Sequence, residues 1–417
     1  MNQTAAMGYS VASAQNMSNF DPYGMEIRSD PFGLFPQLIA QSPGFMMAEG
    51  TPSAFVASYA DVTLVTRDFK RFSSVKPTGL PGMERFDMFN GQPVMNYCDS
   101  PEHTRRRKVV NASFTPKRVE ALNANTQGLI DRLLDKATKM EGVVDAISIL
   151  CQPVTTEVLL GELMNVAPQD RHIFFTAIGG MGLLDKLRPG DPKPQAYLDG
   201  WADGAVYIRR VIEEARVNPA ENLISLIAAA SDEGGAMSDS ETMAMMMVLL
   251  TGGLTTLTSA TATALYCIAR NPVVRQRIRQ DPSVASLALE EAMRLYPPVT
   301  LSMRFATMDS EINGKVIPAG TPVYAIWAAA NHDASEFPEP AKFDIDRPNL
   351  KNQIAFGFGM HTCIGNAITR SVAPMIICSL IERFPDFRLA DPDAEPEFSL
   401  GSARGRHMIK LPLILQG

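Results

Sequence analysis

One of the chain's five cysteines sits in a segment that could put it to use. The run Phe356-Gly357-Phe358-Gly359-Met360-His361-Thr362-Cys363-Ile364-Gly365 brackets Cys363 with three glycines, and a helical pattern follows over 367–381. Glycine allows left-handed backbone and close approach. Such a loop can aim a thiolate at a fixed point, with backbone N–H groups and the next helix's N-terminus facing the sulfur. Those donors favour the anion. A thiolate held this way suits the axial position of a haem iron, and hydrogen bonds to the sulfur tune its donor strength. Other uses stay open on these residues alone. Gly357-x-Gly359 opens like a dinucleotide fingerprint, but Thr362 stands where the third glycine belongs. A cysteine nucleophile with His361 as its base would need side chains two positions apart to meet. A buried cysteine in a glycine turn is the plain structural alternative.

Three further patterns could carry chemistry. His103 and Arg107 share a helical face in His103-Thr-Arg-Arg-Arg107-Lys. Glu291 and Arg294, three apart, can pair on one helix. Leu249-Leu-Thr251-Gly252-Gly253-Leu-Thr255-Thr256 places two glycines inside a helical run. Each costs about 1 kcal/mol against alanine, so something should compensate. Packing through small residues would suffice structurally.

The elements that must position these groups are mostly helices. Helical patterns cover 101–113, 116–140, 146–164, 168–182, 194–216, 220–231, 238–270, 272–279 and 283–295. Strand-like pieces fall at 54–58, 62–65, 305–306, 312–317, 321–326 and 408–413. The expected fold class is mainly α with small peripheral β-sheets, neither doubly wound nor a barrel. Residues 1–20 read as a mobile N-terminal tail without a secretory signal, and 21–417 as one domain. The run 75–100, rich in Gly, Pro and Met, reads as a long functional loop.

The longest helix starts at a capping-box pattern, Ser238 with Glu241. At ~1.5 Å per residue its length is roughly 48 Å, enough to cross the whole molecule. No charged residue occurs over 242–269, which satisfies the length test for a membrane span. Its seven threonines and its glycine pair favour a buried central helix instead. No membrane span is expected.

Composition closes off other classes. The 417 residues are 46% hydrophobic and 20% charged, which is ordinary for a globular chain. A net charge of −7 argues against wrapping nucleic acid. The cysteines are odd in number and far apart, with no CxxC pair. A disulfide scaffold, a structural zinc site or an iron–sulfur cluster is not expected, and a reducing, cytoplasmic setting is.

The cysteine loop resembles the haem-binding loop F-G-x-G-x-H-x-C-x-G of the cytochrome P-450 superfamily in its soluble bacterial form. The other three patterns agree with that family in order and spacing, so the resemblance spans about 20–417. It implies the P-450 fold, with the long central helix crossing over haem b (iron protoporphyrin IX) and the Cys363 thiolate as axial ligand. Phe356, Gly357 and Gly365 belong to the same loop. By resemblance His103, Arg107, Arg304 and His361 contact the haem propionates, and Glu291, Arg294 and Arg347 form a structural network. Thr256 matches the threonine of the dioxygen groove that helps deliver protons. The family usually has Asp or Glu just before it, whereas this chain has Thr255. A hydroxyl can relay a proton but holds no charge at neutral pH.

The implied reaction is hydroxylation of a small to medium hydrophobic substrate by a haem-thiolate monooxygenase, using dioxygen and two externally supplied electrons. A ferredoxin-type donor with its reductase would supply them, and Arg105, Lys108, Lys117 and Arg118 would suit its docking. Val248, Thr251, Gly252, Val299 and Leu301 are expected to line the substrate pocket, with Phe86, Met88 and Phe89 as lids. Two alternatives remain: a haem-thiolate enzyme of another type (a peroxide-driven oxygenase or an isomerase/dehydratase), or a non-catalytic haem protein that binds a ligand.

Overall fold

The computed structural model describes residues 20–22, 24, 31–48, 51–77, 87, 89, 91–92, 94–184, 187, 191–220, 222–232, 238–399 and 405–415. The expected tail 1–20 lies outside this set except for Phe20, which is buried with its ring 5.5 Å from that of Phe55. Phe86 and Met88 also lie outside it.

The helical half is built around the charge-free run. Helices α1 (Phe35–Ala40), α2 (Tyr59–Arg67), α3 (Glu102–Asn111), α4 (Pro116–Ala137), α5 (Ile147–Leu163), α6 (Arg171–Gly182), α7 (Gln195–Val217) and α8 (Leu223–Asp232) precede it. The run itself is α9 (Asp239–Ala269). After it come α10 (Pro272–Gln280), α11 (Val284–Leu295), α12 (Trp327–Ala330) and α13 (Asn366–Arg383). The Ser238 hydroxyl accepts from the Glu241 N–H, and the Glu241 carboxylate accepts from the Ser238 N–H, so both halves of the capping box form. Along α9, threonine hydroxyls bond carbonyls one turn back, which lets a polar side chain sit in an apolar interior. Two-thirds of its most apolar stretch is buried within the protein. It packs against α5, α11 and α13 as a core helix.

The sheets lie at the periphery, as expected. The largest has strand order β1-β2-β8-β5-β3, with β1 Gly44–Ala48, β2 Thr51–Val56, β3 Phe72–Ser73, β5 Ser302–Ala306 and β8 Pro322–Ala325. β2 and β8 pair in parallel with Ala54 opposite Val323, and the other pairs are antiparallel. β4 (Val143–Asp145), β12 (Pro412–Ile414) and β9 (Arg388–Leu389) form a second sheet. β6 (Ser310–Ile312) with β7 (Lys315–Ile317), and β10 (Glu397–Phe398) with β11 (Met408–Lys410), form two-stranded ribbons.

Several local expectations are corrected. Residues 62–65 are helical, inside α2. Ser58 caps that helix by accepting from the Asp61 N–H, and Val62 and Val65 form its buried face. The run 312–317 is a hairpin turning at Asn313 and Gly314, both at positive φ. The run 408–413 divides at Leu411 into β11 and β12, which join different sheets. α5 is α-helical only at Gln152–Thr156; the turns on either side are wider.

A candidate haem-thiolate site

The cysteine loop runs from the end of the last small helix into α13. The Cys363 N–H donates to the Phe356 carbonyl at 2.8 Å, which closes the loop. Gly357 and Gly359 both have φ near +75°. A Cβ at Gly357 would stand 3.0 Å from the Trp327 ring, and one at Gly359 would stand 3.0 Å from the Thr66 carbonyl oxygen. The loop therefore needs glycine at both places, for conformation and for space. Gly365 caps α13. Burial pushes the Cys363 thiol up, while the Gly365 N–H, Arg107, Arg370 and the Asn366 N–H pull it toward the anion. The side chain is exposed only in the sense that it opens on an interior cavity.

That cavity has a volume of about 330 Å³. One end of it is cationic. His103 and His361 lie with ring centroids 4.4 Å apart, and the Ser74 hydroxyl is 2.9 Å from His361 Nε2. Arg107 donates to the Met360 carbonyl at 3.0 Å and Arg304 to the Met303 carbonyl at 2.9 Å. Burial lowers the Arg304 pKa to about 10. Burial, reinforced by Arg304, His103 and Arg107, lowers that of His361 to about 2. Among the described residues no carboxylate is ion-paired with Arg107 or Arg304. The buried Trp327 Nε1, also part of the cavity lining, has no hydrogen-bond partner among the described residues. Asp99 acts on Arg304 and His103 from nearby without pairing with either, and buried charge that is incompletely paired is costly, so this end suits an anionic guest. A flat apolar group with two carboxylates, a cysteine below it and donors at its edge meets that demand. The residues present fit haem b.

Another part of the lining comes from α9. A Cβ at Gly252 would meet nothing within 4 Å, whereas one at Gly253 would collide with Leu159 at 2.6 Å. One glycine opens the helix onto the cavity and the other admits Leu159. The Thr256 hydroxyl donates to the Gly252 carbonyl at 2.6 Å and faces the cavity. Thr255 does not line it; its Oγ1 is 3.5 Å from Nε2 of His407.

The sequence candidates separate clearly. Cys363, Phe356, Gly365, His103, Arg107, Arg304, His361, Thr256, Val248, Gly252, Val299 and Leu301 share the cavity wall. Gly357 supports the loop from behind. Thr251 turns back onto the Met247 and Val248 carbonyls. Phe89 is buried in the core beside Tyr97 and Trp201, so it is not a lid. Glu291 accepts from Arg294 at 2.7 and 2.8 Å and from Arg347 at 2.9 Å, all three side chains being buried. Sequence reasoning missed Leu159, Leu163, Lys76, Tyr97 and Trp327 on the wall. Leu159 and Leu163 arrive on the wide turns of α5 and Trp327 follows the end of β8, whereas Lys76 and Tyr97 belong to the run 75–100 that reads as a functional loop. Arg105, expected in a docking patch, is engaged with Glu102 and Glu241, while Lys108 and Lys117 are exposed.

A family profile described as cytochrome P-450 matches residues 195–285 and 283–410. The chain belongs to the cytochrome P-450 family. It is 31% identical over 302 residues to a "Steroid C26-monooxygenase" of Mycobacterium tuberculosis, covering 72% of this chain and 80% of that one. It is 30% identical over 371 residues to the cytochrome P-450 monooxygenase PikC of Streptomyces venezuelae, covering 88% and 86%. Among solved structures, a cytochrome P-450 from Chondromyces apiculatus superposes with a TM-score of 0.81 at 27% identity, covering 96% and 99%. The P-450 fold of this chain follows, and with it an oxidoreductase that incorporates one oxygen atom from dioxygen, with haem held by the Cys363 thiolate. As in the family, it works with a substrate, dioxygen and redox partners.

When bound, the haem supplies the reduction of dioxygen and the transfer of one oxygen atom. The P-450 chain supplies the rest. The Gly365 and Asn366 N–H groups favour the anionic sulfur against the effect of burial, Arg107 and Arg304 would stand at the end where two carboxylates would fit, and the apolar lining would exclude water.

Proposed function

We propose that this P-450 hydroxylates a small to medium hydrophobic substrate with two electrons from a ferredoxin-type donor and its reductase, as a soluble cytoplasmic protein. The observation that carries the substrate class is the apolar part of the lining of the cavity that Cys363 shares. Val248, Leu249, Gly252, Leu257, Val299 and Leu301 make it apolar. An apolar wall without a fixed ion pair favours a substrate recognised by shape and burial. The relative named for steroid oxidation supports the same class. His103, Arg107, Arg304 and His361 hold the haem propionates in this reading, and Thr256 hands protons to the dioxygen side.

The test is a screen of haem-loaded protein for ligand-induced spin-state change across steroids, terpenoids, macrolides, aromatics and fatty acids, followed by turnover of the hits. Apolar ligands should shift the spectrum and be hydroxylated with a ferredoxin and its reductase. A preference for charged ligands would contradict the substrate reading. Turnover driven only by peroxide would contradict the electron supply.

A further inference from the structure

The threonines along α9 do not behave alike. Thr251, Thr256, Thr258, Thr261 and Thr263 each return the hydroxyl to the carbonyl four positions back, at 2.6 to 3.0 Å. Among the described residues Thr255 makes no such bond. Its one recorded side-chain partner is Nε2 of His407, on the segment that leads into β11.

That histidine is held against α9 from several sides. The Met408 N–H donates to the Ser259 hydroxyl of α9 at 2.9 Å, and the Arg406 N–H donates to the Pro298 carbonyl at 3.0 Å. The His407 carbonyl accepts from the Ser399 N–H at 2.8 Å. Gly405 leaves room for the ring, since a Cβ there would stand 2.7 Å from Nε2. The second ring nitrogen, Nδ1, is buried and has no hydrogen-bond partner among the described residues. A buried polar atom left unpaired calls for a reason. Burial lowers the ring's pKa to about 4, and among the described residues no charged side chain contributes. The neutral ring donates from one nitrogen and accepts at the other. That arrangement can pass a proton across the ring without building a charge.

We infer that His407 is a proton relay, handing protons from water at Nδ1 through Nε2 to the Thr255 hydroxyl and so to the Thr256 side of the groove. The step balances: one proton arrives at Nδ1, one leaves Nε2 for Thr255 Oγ1, and the original Thr255 proton moves inward. The ring is left as the other tautomer and resets by exchange with water, and no electrons move. The inference rests on the reading of Thr256 as the proton-delivering residue. Because His407 acts through Thr255, it is a positioning and relay group that touches neither substrate nor haem.

The experiment compares haem-loaded wild type with His407→Gln, Thr255→Val and Thr255→Ser. His407→Gln keeps a donor near the Nε2 place but cannot pass a proton through. Product per electron should fall roughly tenfold in His407→Gln and Thr255→Val, with peroxide rising to match. That is less than the 10²–10⁴ typical of a proton-transfer group, because water substitutes in part. Thr255→Ser should restore the wild-type ratio. Independently of turnover, the ¹⁵N resonances of His407 in the reduced, carbon monoxide-bound protein should shift in Thr255→Val and return in Thr255→Ser. Unchanged product per electron in both blocking variants, or ¹⁵N resonances blind to Thr255→Val, would overturn the relay. Loss of the thiolate carbonyl band in His407→Gln alone would assign His407 a structural role and overturn it too. If the relay fails while Thr256→Ala still uncouples turnover, the Thr256 reading stands. If Thr256→Ala leaves coupling intact, that reading falls and the relay with it.

Discussion

Most of the sequence candidates that share the cavity were legible residue by residue. Cys363 between its glycines is informative because few structural needs call for three glycines around one cysteine. The two arginines and two histidines came from three distant segments, and only the cavity shows them as one cluster. Thr256 gives the sharpest expectation at this scale. Thr256→Ala should leave haem content intact but lower product per electron by about tenfold, equivalent to ~1.4 kcal/mol between two outcomes, as measured by product against peroxide. Gly359→Ala addresses the loop instead. With φ near +76° and the Thr66 carbonyl 3.0 Å from any Cβ, it should lower haem retention during purification, read as absorbance per protein. Unchanged retention would show that the loop tolerates a side chain. His407 was invisible in the sequence, because nothing in the spacing of 255 and 407 indicates that they meet.

At the scale of elements, the helices and the places of most strands were readable, and the strand bounds and pairings were not. A 31-residue helix with a capping box declares itself through periodicity and chemistry. Residues 62–65 misled because Val and Thr favour strands, yet the Ser58 cap and packing of Val62 and Val65 decide for helix. The start of α9 yields a pH expectation. Glu241 is raised by burial, but the Ser238 amide and Arg106 hold its pKa down to about 2 against an ordinary 4.5. A carboxylate depressed in the folded state adds stability above its unfolded pKa and loses it as pH falls through the folded one. Glu241→Gln should therefore be less stable by on the order of 2 kcal/mol near pH 6. The gap should narrow between pH 4.5 and pH 2 in urea titrations. A gap independent of pH would contradict the assignment.

At the scale of the molecule, sheet topology was hidden because partners are far apart in sequence; Ala54 pairs with Val323. The Glu291–Arg294–Arg347 network ties α11 to the segment before the cysteine loop through the Asn331, Lys342 and Pro338 carbonyls. Removing one member leaves a buried charge without its partner. Glu291→Gln should destabilise by about 3–5 kcal/mol, measured by denaturant unfolding. The surface pair Arg277–Asp346 is the contrast, and Arg277→Ala should change stability little.

The central claim is that the Cys363 sulfur is the iron ligand. The most direct measurement is the carbon monoxide difference spectrum of the reduced, haem-loaded protein, wild type against Cys363→His. Wild type should show the strongly red-shifted carbonyl band of thiolate-bound haem, and the variant should lose it. A wild-type band at the position of histidine-ligated haem, or a thiolate band that survives in Cys363→His, would contradict the account.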